Sequence, residues 1–126
     1  MIELAIKPAL ERITGLNAYP LLLPDTVQEG ATFQRISDPQ VGEGLTRTGL
    51  AAVRMQVCLY LVDDYTRLLQ LDAAIWSEWK DIVQGQLEGQ RVQYITRGGI
   101  QQDKTTLTGG RIQYRLVRDF TLTVAE

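Results

Sequence analysis

Few side chains that could carry catalytic chemistry occur in this sequence of 126 residues. It contains no histidine, one cysteine (Cys58) and two serines, Ser37 and Ser77. Without histidine, Ser-His-Asp and Cys-His catalysis and histidine-ligated metals are excluded. A single cysteine can form neither an internal disulfide nor a CxxC redox pair. Neither serine lies in a G-x-S-x-G motif. The composition therefore predicts a protein that is not an enzyme and holds no metal or cofactor.

Two short motifs resemble chemical sites but are better explained by structure. Asp63-Asp64 is a carboxylate pair, and its position between a strand and a helix favours an N-cap that complements the helix dipole. The segment 98–105, GGIQQDKT, approaches the phosphate-binding pattern G-x-x-x-x-G-K-[ST]. Asp103 replaces the second glycine, and the segment lies between two strands rather than before a helix. We interpret it as part of a glycine-hinged hairpin.

The cysteine and the aromatic residues each have a structural interpretation beside a functional one. Cys58 lies in a strand pattern and is expected to be a buried thiol. Trp76 and Trp79 are expected to pack in the core, with an interface anchor as the alternative. Tyr94 and Tyr114 are expected to pack across strands, although such residues can also stack on nucleic-acid bases.

Positive charge is concentrated near the end of the chain. The net charge is −2, but residues 1–90 hold seven basic and twelve acidic residues, whereas residues 91–118 hold six basic residues and one acidic residue. The six are Arg91, Arg97, Lys104, Arg111, Arg115 and Arg118. They are either the outward face of two ordinary strands or a basic ribbon that docks on an acidic partner.

Apolar spacing predicts two helices. Ile2, Ile6, Leu10 and Ile13 share one helical face, and the helix they predict ends at Gly15. A central amphipathic helix is predicted from five apolar residues at steps of three or four, with its end at Gly85. These residues are Leu68, Leu71, Ile75, Trp79 and Ile82, and Trp76 and Val83 widen the apolar face.

Alternating apolar residues predict strands at 31–36, 52–62, 91–95 and 112–124. The segment 19–24, YPLLLP, carries two prolines and is typical of an edge strand or an extended connector. Residues 38–48 are expected to be a mobile polar loop, and residues 97–110 a polar hairpin tip hinged by glycines.

The last predicted strand is long for so small a protein. Fourteen residues would span ~46 Å, whereas a compact chain of this length has a diameter near ~36 Å. We expect the strand to overrun the domain or to bend at a bulge near Arg118, which interrupts its apolar face. Because an exposed strand edge invites uncontrolled pairing, an ordered assembly is expected.

These elements predict one α+β domain over residues 1–126. The expected architecture is an antiparallel sheet of four to five strands, with an N-terminal helix and one central amphipathic helix packed on it and a long glycine-hinged hairpin. No apolar run approaches the ~20 residues of a membrane span, and the N-terminus lacks the pattern of a signal peptide. The expected core comprises Val53, Met55, Val57, Leu59, Leu61, Ile75, Trp79, Ile82, Leu116, Phe120 and Leu122.

The order of these elements resembles the tail terminator (tail completion, tail-to-head joining) family of long-tailed bacteriophages. The resemblance covers nearly the whole chain and depends on the order of elements more than on a fixed motif. Four segments carry it: the N-terminal helix leading into Tyr19-Pro20, the strand 32–37 (TFQRIS), the strand 53–57 (VRMQV) running into a helix, and the ending 114–120 (YRLVRDF).

The resemblance implies a structural virion protein that forms a six-membered ring on the completed tail tube. Its partners would be other copies of itself, the major tail tube protein and the head–tail connector or stopper protein, with DNA passing through the lumen without specific binding. The protein would lie in the tail or neck of the virion, and in the host cytoplasm during assembly. The family has no catalytic or metal-site residues to transfer to this chain.

Polar residues of the two predicted loops and of the basic strands are the candidate interface. They are Asp38, Gln40, Glu43, Arg47, Arg91, Arg97, Gln101, Lys104, Arg111 and Arg115. Two alternatives remain at this point. One is a small nucleic-acid-binding module that uses the basic hairpin 91–118, and the other is a phage neck adaptor or stopper protein.

Overall fold

A computed structural model describes residues 1–43 and 46–125 of the chain, without the side chains of Glu43, Thr46 and Arg47. Within these residues the fold is α+β, with two helices and seven strands. The elements are α1 (Glu3–Thr14), β1 (Ala18–Pro20), β2 (Gly30–Ser37), β3 (Gln40–Glu43), β4 (Thr46–Val62), α2 (Tyr65–Trp79), β5 (Val83–Leu87), β6 (Gln90–Thr106) and β7 (Ile112–Ala125).

The strands form one mixed sheet rather than the predicted antiparallel sheet of four to five strands. Its order is β1-β2-β4-β7-β6-β5, and β3 pairs with β4 beyond the end of β2. β1 runs parallel to β2, and the other pairs are antiparallel. The predicted sheet was too small because β1 contains Pro20, β3 contains Gly42 and β5 contains Gly85, and these residues are typical of loops.

The centre of the sheet is the antiparallel pair of β4 and β7, in register from Leu50 opposite Ala125 to Val62 opposite Gln113. One face of this pair is apolar and packs against α2, and α1 lies against α2, β1 and β2. The core residues predicted from alternation are confirmed as buried, except that Ile82 is only partly buried against the core. The remaining ten are Val53, Met55, Val57, Leu59, Leu61, Ile75, Trp79, Leu116, Phe120 and Leu122.

Helix α1 has the predicted extent. Gly15 follows it with a φ of 73°, and its N–H donates to the carbonyl oxygen of Glu11, which closes the last turn. Pro8 lies inside the helix, where the missing N–H removes one bond of the helical ladder. Ile6 and Leu10 are fully buried beneath the helix.

Helix α2 begins as predicted and ends earlier. The Asp64 carboxylate accepts a hydrogen bond of 3.1 Å from the backbone N–H of Arg67, which confirms the N-cap. The helix stops at Trp79, six residues before Gly85. Val83 and Gly85 belong to β5, and the Val83 side chain is 69% exposed, so its assignment to the apolar helix face was wrong.

The hairpin tip predicted over 97–110 and the described part of the loop predicted over 38–48 are largely strands, and residues 44 and 45 of that loop lie outside the described residues. β3 (residues 40–43) pairs antiparallel with residues 46–51 of β4, and β6 continues to Thr106 before a turn at 107–110. The predicted bulge near Arg118 is present, but the extra residue is on the neighbouring strand: Gly98 and Gly99 together oppose Asp119. No helix among the described residues is both long and apolar enough to cross a membrane.

Candidate functional site

Most of the predicted interface residues lie on two hairpins of the sheet, which we call arms. The described residues 38–43 and 46–51 form the β3–β4 arm, and residues 97–118 form the β6–β7 arm. In both arms the strand pairing extends further than the sequence predicted.

In the β3–β4 arm, Asp38 and Gln40 are exposed. The Asp38 carboxylate accepts a hydrogen bond of 3.0 Å from Arg35, and Gln40 pairs with Ala51. The backbones of the predicted contacts Glu43 and Arg47 lie in paired strands. Glu43 opposes Thr46, and Arg47 opposes Gly42. The side chains of Glu43 and Arg47 lie outside what the structure describes.

The β6–β7 arm carries Gln101, Lys104, Arg111 and Arg115. Arg115 donates to the cross-strand carboxylate of Asp103 at 3.1 Å, and this bond raises the pKa of the Arg115 guanidinium. Arg111 lies 3.4 Å from the Asp63 carboxylate. Gln101 and Lys104 are exposed, and no ion pair joins Lys104 to the residues that the structure describes. The arm therefore presents paired and unpaired charges together.

The two arms lie at opposite ends of the sheet. β4 begins in the β3–β4 arm, where Leu50 opposes Ala125, and ends near the tip of the β6–β7 arm, where Val62 opposes Gln113. The twelve intervening steps along β4 separate these two points by ~40 Å. A single subunit can therefore touch different partners at its two ends.

The basic ribbon predicted over 91–118 is not a continuous positive surface. Arg118 is 11% exposed and paired with Asp72 of α2, and the Arg97 guanidinium lies 5.1 Å from the ring centre of Trp76. Arg115 and Arg111 face carboxylates, as described above. Arg91 lies near the β5–β6 turn, opposite Gln86 and away from the β6–β7 arm. The basic residues of the predicted ribbon are therefore distributed over several surfaces, and most of these residues have a partner.

The two tyrosines of the nucleic-acid alternative are also not brought together. Tyr94 opposes Thr123, whereas Tyr114 opposes Lys104 and packs on Tyr65 at a ring-centre distance of 5.4 Å. Tyr114 and Thr123, which mark the two rows, lie nine residues apart along β7, a distance of ~30 Å. Because side chains alternate between the two faces along a strand, this odd number places the two tyrosines on opposite faces. No stacking platform forms from this pair.

The buried thiol and the tryptophans have the predicted structural roles. Cys58 is 7% exposed, and burial raises the pKa of its thiol, so the reactive thiolate is disfavoured. Trp79 packs edge-on against Phe120 at 4.7 Å, and Trp76 stacks on Phe120 at 6.3 Å. Both tryptophans therefore join α2 to the sheet.

The face of the sheet away from the helices carries a shallow groove with both polar and apolar side chains. A depression of about 250 Å³ is lined in part by Arg54, Gln56 and Asp119. Arg54 donates to the Asp119 carboxylate at 3.2 Å. Across the described residues, no group of three histidine, cysteine, aspartate or glutamate side chains has the arrangement of a metal site.

Sequence reasoning missed Asp72 and the exposed pair Leu21-Leu22. Asp72 interrupts the apolar face of α2 between Leu68 and Ile75, and Arg118 interrupts the apolar face of β7. One acidic and one basic residue, each within an apolar face that packs into the same core, were the signal in the sequence for a buried ion pair. Leu21 and Leu22 gave no such signal because apolar residues in a proline-bounded segment are also compatible with burial.

Comparison with known proteins gives no functional information. No protein-family model matches this chain, and no curated protein matches it. Solved structures do match, and one of them aligns with a TM-score of 0.49 and 12% sequence identity, over 97% of this chain and 96% of that chain. A likeness of this degree carries no argument about fold or function.

Proposed function

We propose that this protein is a phage tail terminator, which forms a ring on the end of the tail tube, stops its polymerisation and offers a surface for head joining. The observation that carries the proposal is the position of the two arms at opposite ends of one sheet. It adds to the resemblance in the order of helices and strands.

A terminator needs two contact surfaces that differ from one another. A tail tube grows by a head-to-tail contact that repeats along its axis without closing. A protein that ends this growth must match the exposed end of the tube on one side and present something other than that end on the opposite side. The β3–β4 arm and the β6–β7 arm have different sequences and different charges, so they suit these two tasks.

The charge pairing suits a ring through which DNA passes. A lumen lined by unpaired arginines would bind phosphates and retard the DNA. Arg54, Arg115 and Arg118 instead face the carboxylates of Asp119, Asp103 and Asp72. DNA is therefore expected to contact the protein without specific binding, and the tube protein and the connector are expected to be the partners of the arms.

The test is to alter one arm at a time and examine tails by electron microscopy. Lys104→Glu changes the β6–β7 arm, and Gln40→Arg changes the β3–β4 arm; both side chains are exposed, so both variants are expected to fold. We expect one variant to give tails of abnormal length, and the other to give tails of normal length that do not join heads. Gln70→Arg is the matched control, because Gln70 is exposed on α2.

The outcome for both arms decides the proposal. Normal tail length and normal head joining with both arm variants would contradict it. Loss of DNA binding by Lys104→Glu, measured on oligonucleotides at several salt concentrations, would favour the nucleic-acid alternative instead.

A further inference from the structure

The sheet has a long unpaired strand edge on β6. β5 pairs with β6 only as far as Tyr94, and among the described strands β7 is the only partner of β6 from Arg97 to Thr106. The side chains of this stretch are exposed. We call its outer side, from Ile100 to Thr106, the β6 edge. An unpaired row of backbone N–H and C=O groups is a site to which another strand can add.

Hydrogen bonds on both sides of β7 show which groups of the β6 edge point outwards. The N–H of Leu107 donates to the carbonyl oxygen of Arg111 at 2.7 Å, across the end of the ladder between β6 and β7. The next residue of β7, Ile112, turns its carbonyl away from β6, because this oxygen accepts the Asp63 N–H at 2.8 Å. Ile112 and Thr106 therefore oppose one another without exchanging hydrogen bonds.

The same alternation continues along the strand, since the pairing from Ile100 to Thr106 has no shift of register. Hydrogen-bonded and non-hydrogen-bonded pairs alternate in an antiparallel ladder, so every second residue of β6 bonds to β7 and the others point outwards. The residues whose backbone groups point out of the sheet are Ile100, Gln102, Lys104 and Thr106. No other described strand pairs with them on that side, so each offers one donor and one acceptor.

The β6 edge carries an unpaired positive charge on the side that faces α2. Lys104 opposes Tyr114, which packs on Tyr65 of α2, so the Lys104 side chain lies on the helix side of β6. It is exposed, and no ion pair joins it to the residues that the structure describes. Asp103 lies on the other face, where Arg115 neutralises it. The charge that remains for a partner is therefore positive.

The side chains of the β6 edge select one class of strand. A lysine on an edge hinders pairing with an apolar or a basic strand, whereas an opposite charge directly across from it is favourable. Ile100 lies on the same side of β6 as Lys104 and is 43% exposed. The edge therefore fits a strand that places a carboxylate opposite Lys104 and an apolar side chain opposite Ile100.

We propose that the β6 edge binds an extended acidic segment of a partner protein, which adds to the sheet as a strand. The outward N–H and C=O groups bind the backbone of this segment. Lys104 binds its carboxylate, and Ile100 contacts an apolar side chain four residues away from that carboxylate. The proposed terminator function names neither this edge nor the chemistry of its partner, and the inference does not depend on that function.

Hydrogen exchange with designed peptides tests the contact. The probes are two short blocked peptides of alternating threonine and valine, in which glutamate and isoleucine replace two valines four positions apart, once in each order. Without peptide, the amide hydrogens of Gln102, Lys104 and Thr106 should exchange faster than those of Gln101 and Asp103, which bond to β7. With peptide at about ten times its Kd, exchange at the outward amides should slow by about tenfold. NMR spectroscopy measures each amide.

N-methylated peptides show whether the peptide binds as a strand. A strand bonds to its neighbour through alternate residues. N-methylation of one alternate set of residues should therefore abolish the protection, and N-methylation of the other set should leave it unchanged. These peptides are matched to one another in composition and charge, and they leave the protein unaltered.

Two variants of the chain test the backbone and the charge separately. Gln102→Pro removes one outward N–H and leaves the bonds to β7, as proline does on edge strands, and it should abolish the protection at Lys104. Gln102→Thr is the matched control, because both variants lose the bond from the Tyr65 hydroxyl and only proline loses the N–H. Lys104→Glu should bind a peptide with lysine in place of glutamate about two- to fivefold more tightly than the glutamate peptide, the reverse of the unaltered chain.

Each of several outcomes would overturn the inference. One is unchanged exchange at Gln102, Lys104 and Thr106 with both peptides at millimolar concentration. Another is an equal effect of N-methylation at either set of residues, and a third is a charge preference that does not reverse in Lys104→Glu. Dimers of the unaltered chain in sedimentation equilibrium that Gln102→Pro abolishes would assign the edge to a second copy instead. If Gln102→Pro does not fold, the N-methylated peptides decide on the unaltered chain.

Discussion

Arg118 and Asp72 form a bidentate ion pair between β7 and α2. Arg118 Nε lies 3.1 Å from Asp72 Oδ1, and Nη2 lies 2.7 Å from Oδ2. The two side chains are only 11% and 9% exposed. Arg118 Nη1 also lies 3.4 Å from the carbonyl oxygen of Gly98, at the bulge of β6. One guanidinium thus joins α2, β7 and β6 at the bulge where the β6–β7 arm begins.

Removing one partner of this pair should destabilise the fold strongly. We expect Asp72→Ala to lower the free energy of unfolding by about 3–5 kcal/mol, because it leaves the Arg118 charge buried without its counter-ion. The double variant Asp72→Leu/Arg118→Met should recover most of that loss. Urea denaturation of the single and double variants measures the coupling. Asp103→Ala is the control: its pair with Arg115 is half-exposed, so less than about 1 kcal/mol should be lost. Equal losses of unfolding free energy in Asp72→Ala and Asp103→Ala would contradict the expectation that losing a counter-ion costs more when the pair is buried.

The bulge makes two adjacent glycines unequal. A Cβ at Gly98 would lie 3.1 Å from the Cβ of Asp119, whereas a Cβ at Gly99 would meet nothing within 4 Å. We expect Gly98→Ala to lower the free energy of unfolding by about 1–3 kcal/mol through overpacking. Gly99→Ala should be neutral or slightly stabilising, since it restricts the unfolded chain. Thermal denaturation of the two variants side by side distinguishes them, and equal effects would mean that the bulge is placed wrongly.

The sequence predicted the elements whose pattern is local and regular. The alternation of Val53 to Leu61 and the helical spacing of Leu68 to Trp79 were sufficient for β4 and α2, because each reflects one apolar face of one element. The end of α2 was not predictable in this way. Ile82 and Val83 continue the helical spacing after Trp79, yet Val83 forms the start of β5.

The contacts between elements could be predicted only if the pairing register of the strands were known. Gly98 and Gly99 predicted a hinge at a hairpin tip, because glycines usually mark turns. In the structure they form a bulge, since the strand resumes at Ile100 opposite Arg118. The candidate interface has the same limitation: Asp38 and Lys104 were expected on two loops, and only the register of β4 with β7 puts those two regions at opposite ends of the sheet.

Acid should destabilise the protein partly through Glu3. Arg35 donates to both Glu3 carboxylate oxygens, at 2.8 and 2.7 Å, and these bonds lower the pKa of Glu3 below its ordinary value of 4.5. A carboxylate with a lowered pKa in the folded state stabilises the fold above its unfolded pKa, and this stability is lost as the pH falls through the folded pKa. We therefore expect stability to decrease as the pH falls below about 4.5.

The matching variant is Glu3→Gln, which cannot titrate. Its free energy of unfolding at neutral pH should be lower by about 1 kcal/mol, as expected for a partly buried ion pair with hydrogen bonds. The difference from the unaltered chain should shrink towards acid pH, because the unaltered chain loses the same interaction there. Chemical denaturation at a series of pH values measures both quantities. A difference that stays constant with pH would contradict the role of the Glu3 charge.

Leu21 allows folding and assembly to be separated at one residue. Its φ of 71° disfavours any side chain, while glycine adopts it readily. In Leu21→Gly, relief of this strain opposes the greater entropy of the unfolded glycine chain, so the free energy of unfolding should change by less than about 1 kcal/mol. Leu21→Val should be destabilising by more than that, because a β-branched residue tolerates positive φ least. If the exposed leucine side chain forms part of a contact between copies in the proposed ring, Leu21→Gly should fold normally and associate more weakly. Denaturation and sedimentation equilibrium on the same samples give the two values. Unchanged association would exclude the Leu21 side chain from the contact, and a large loss of stability would show that it belongs to the core of its own subunit.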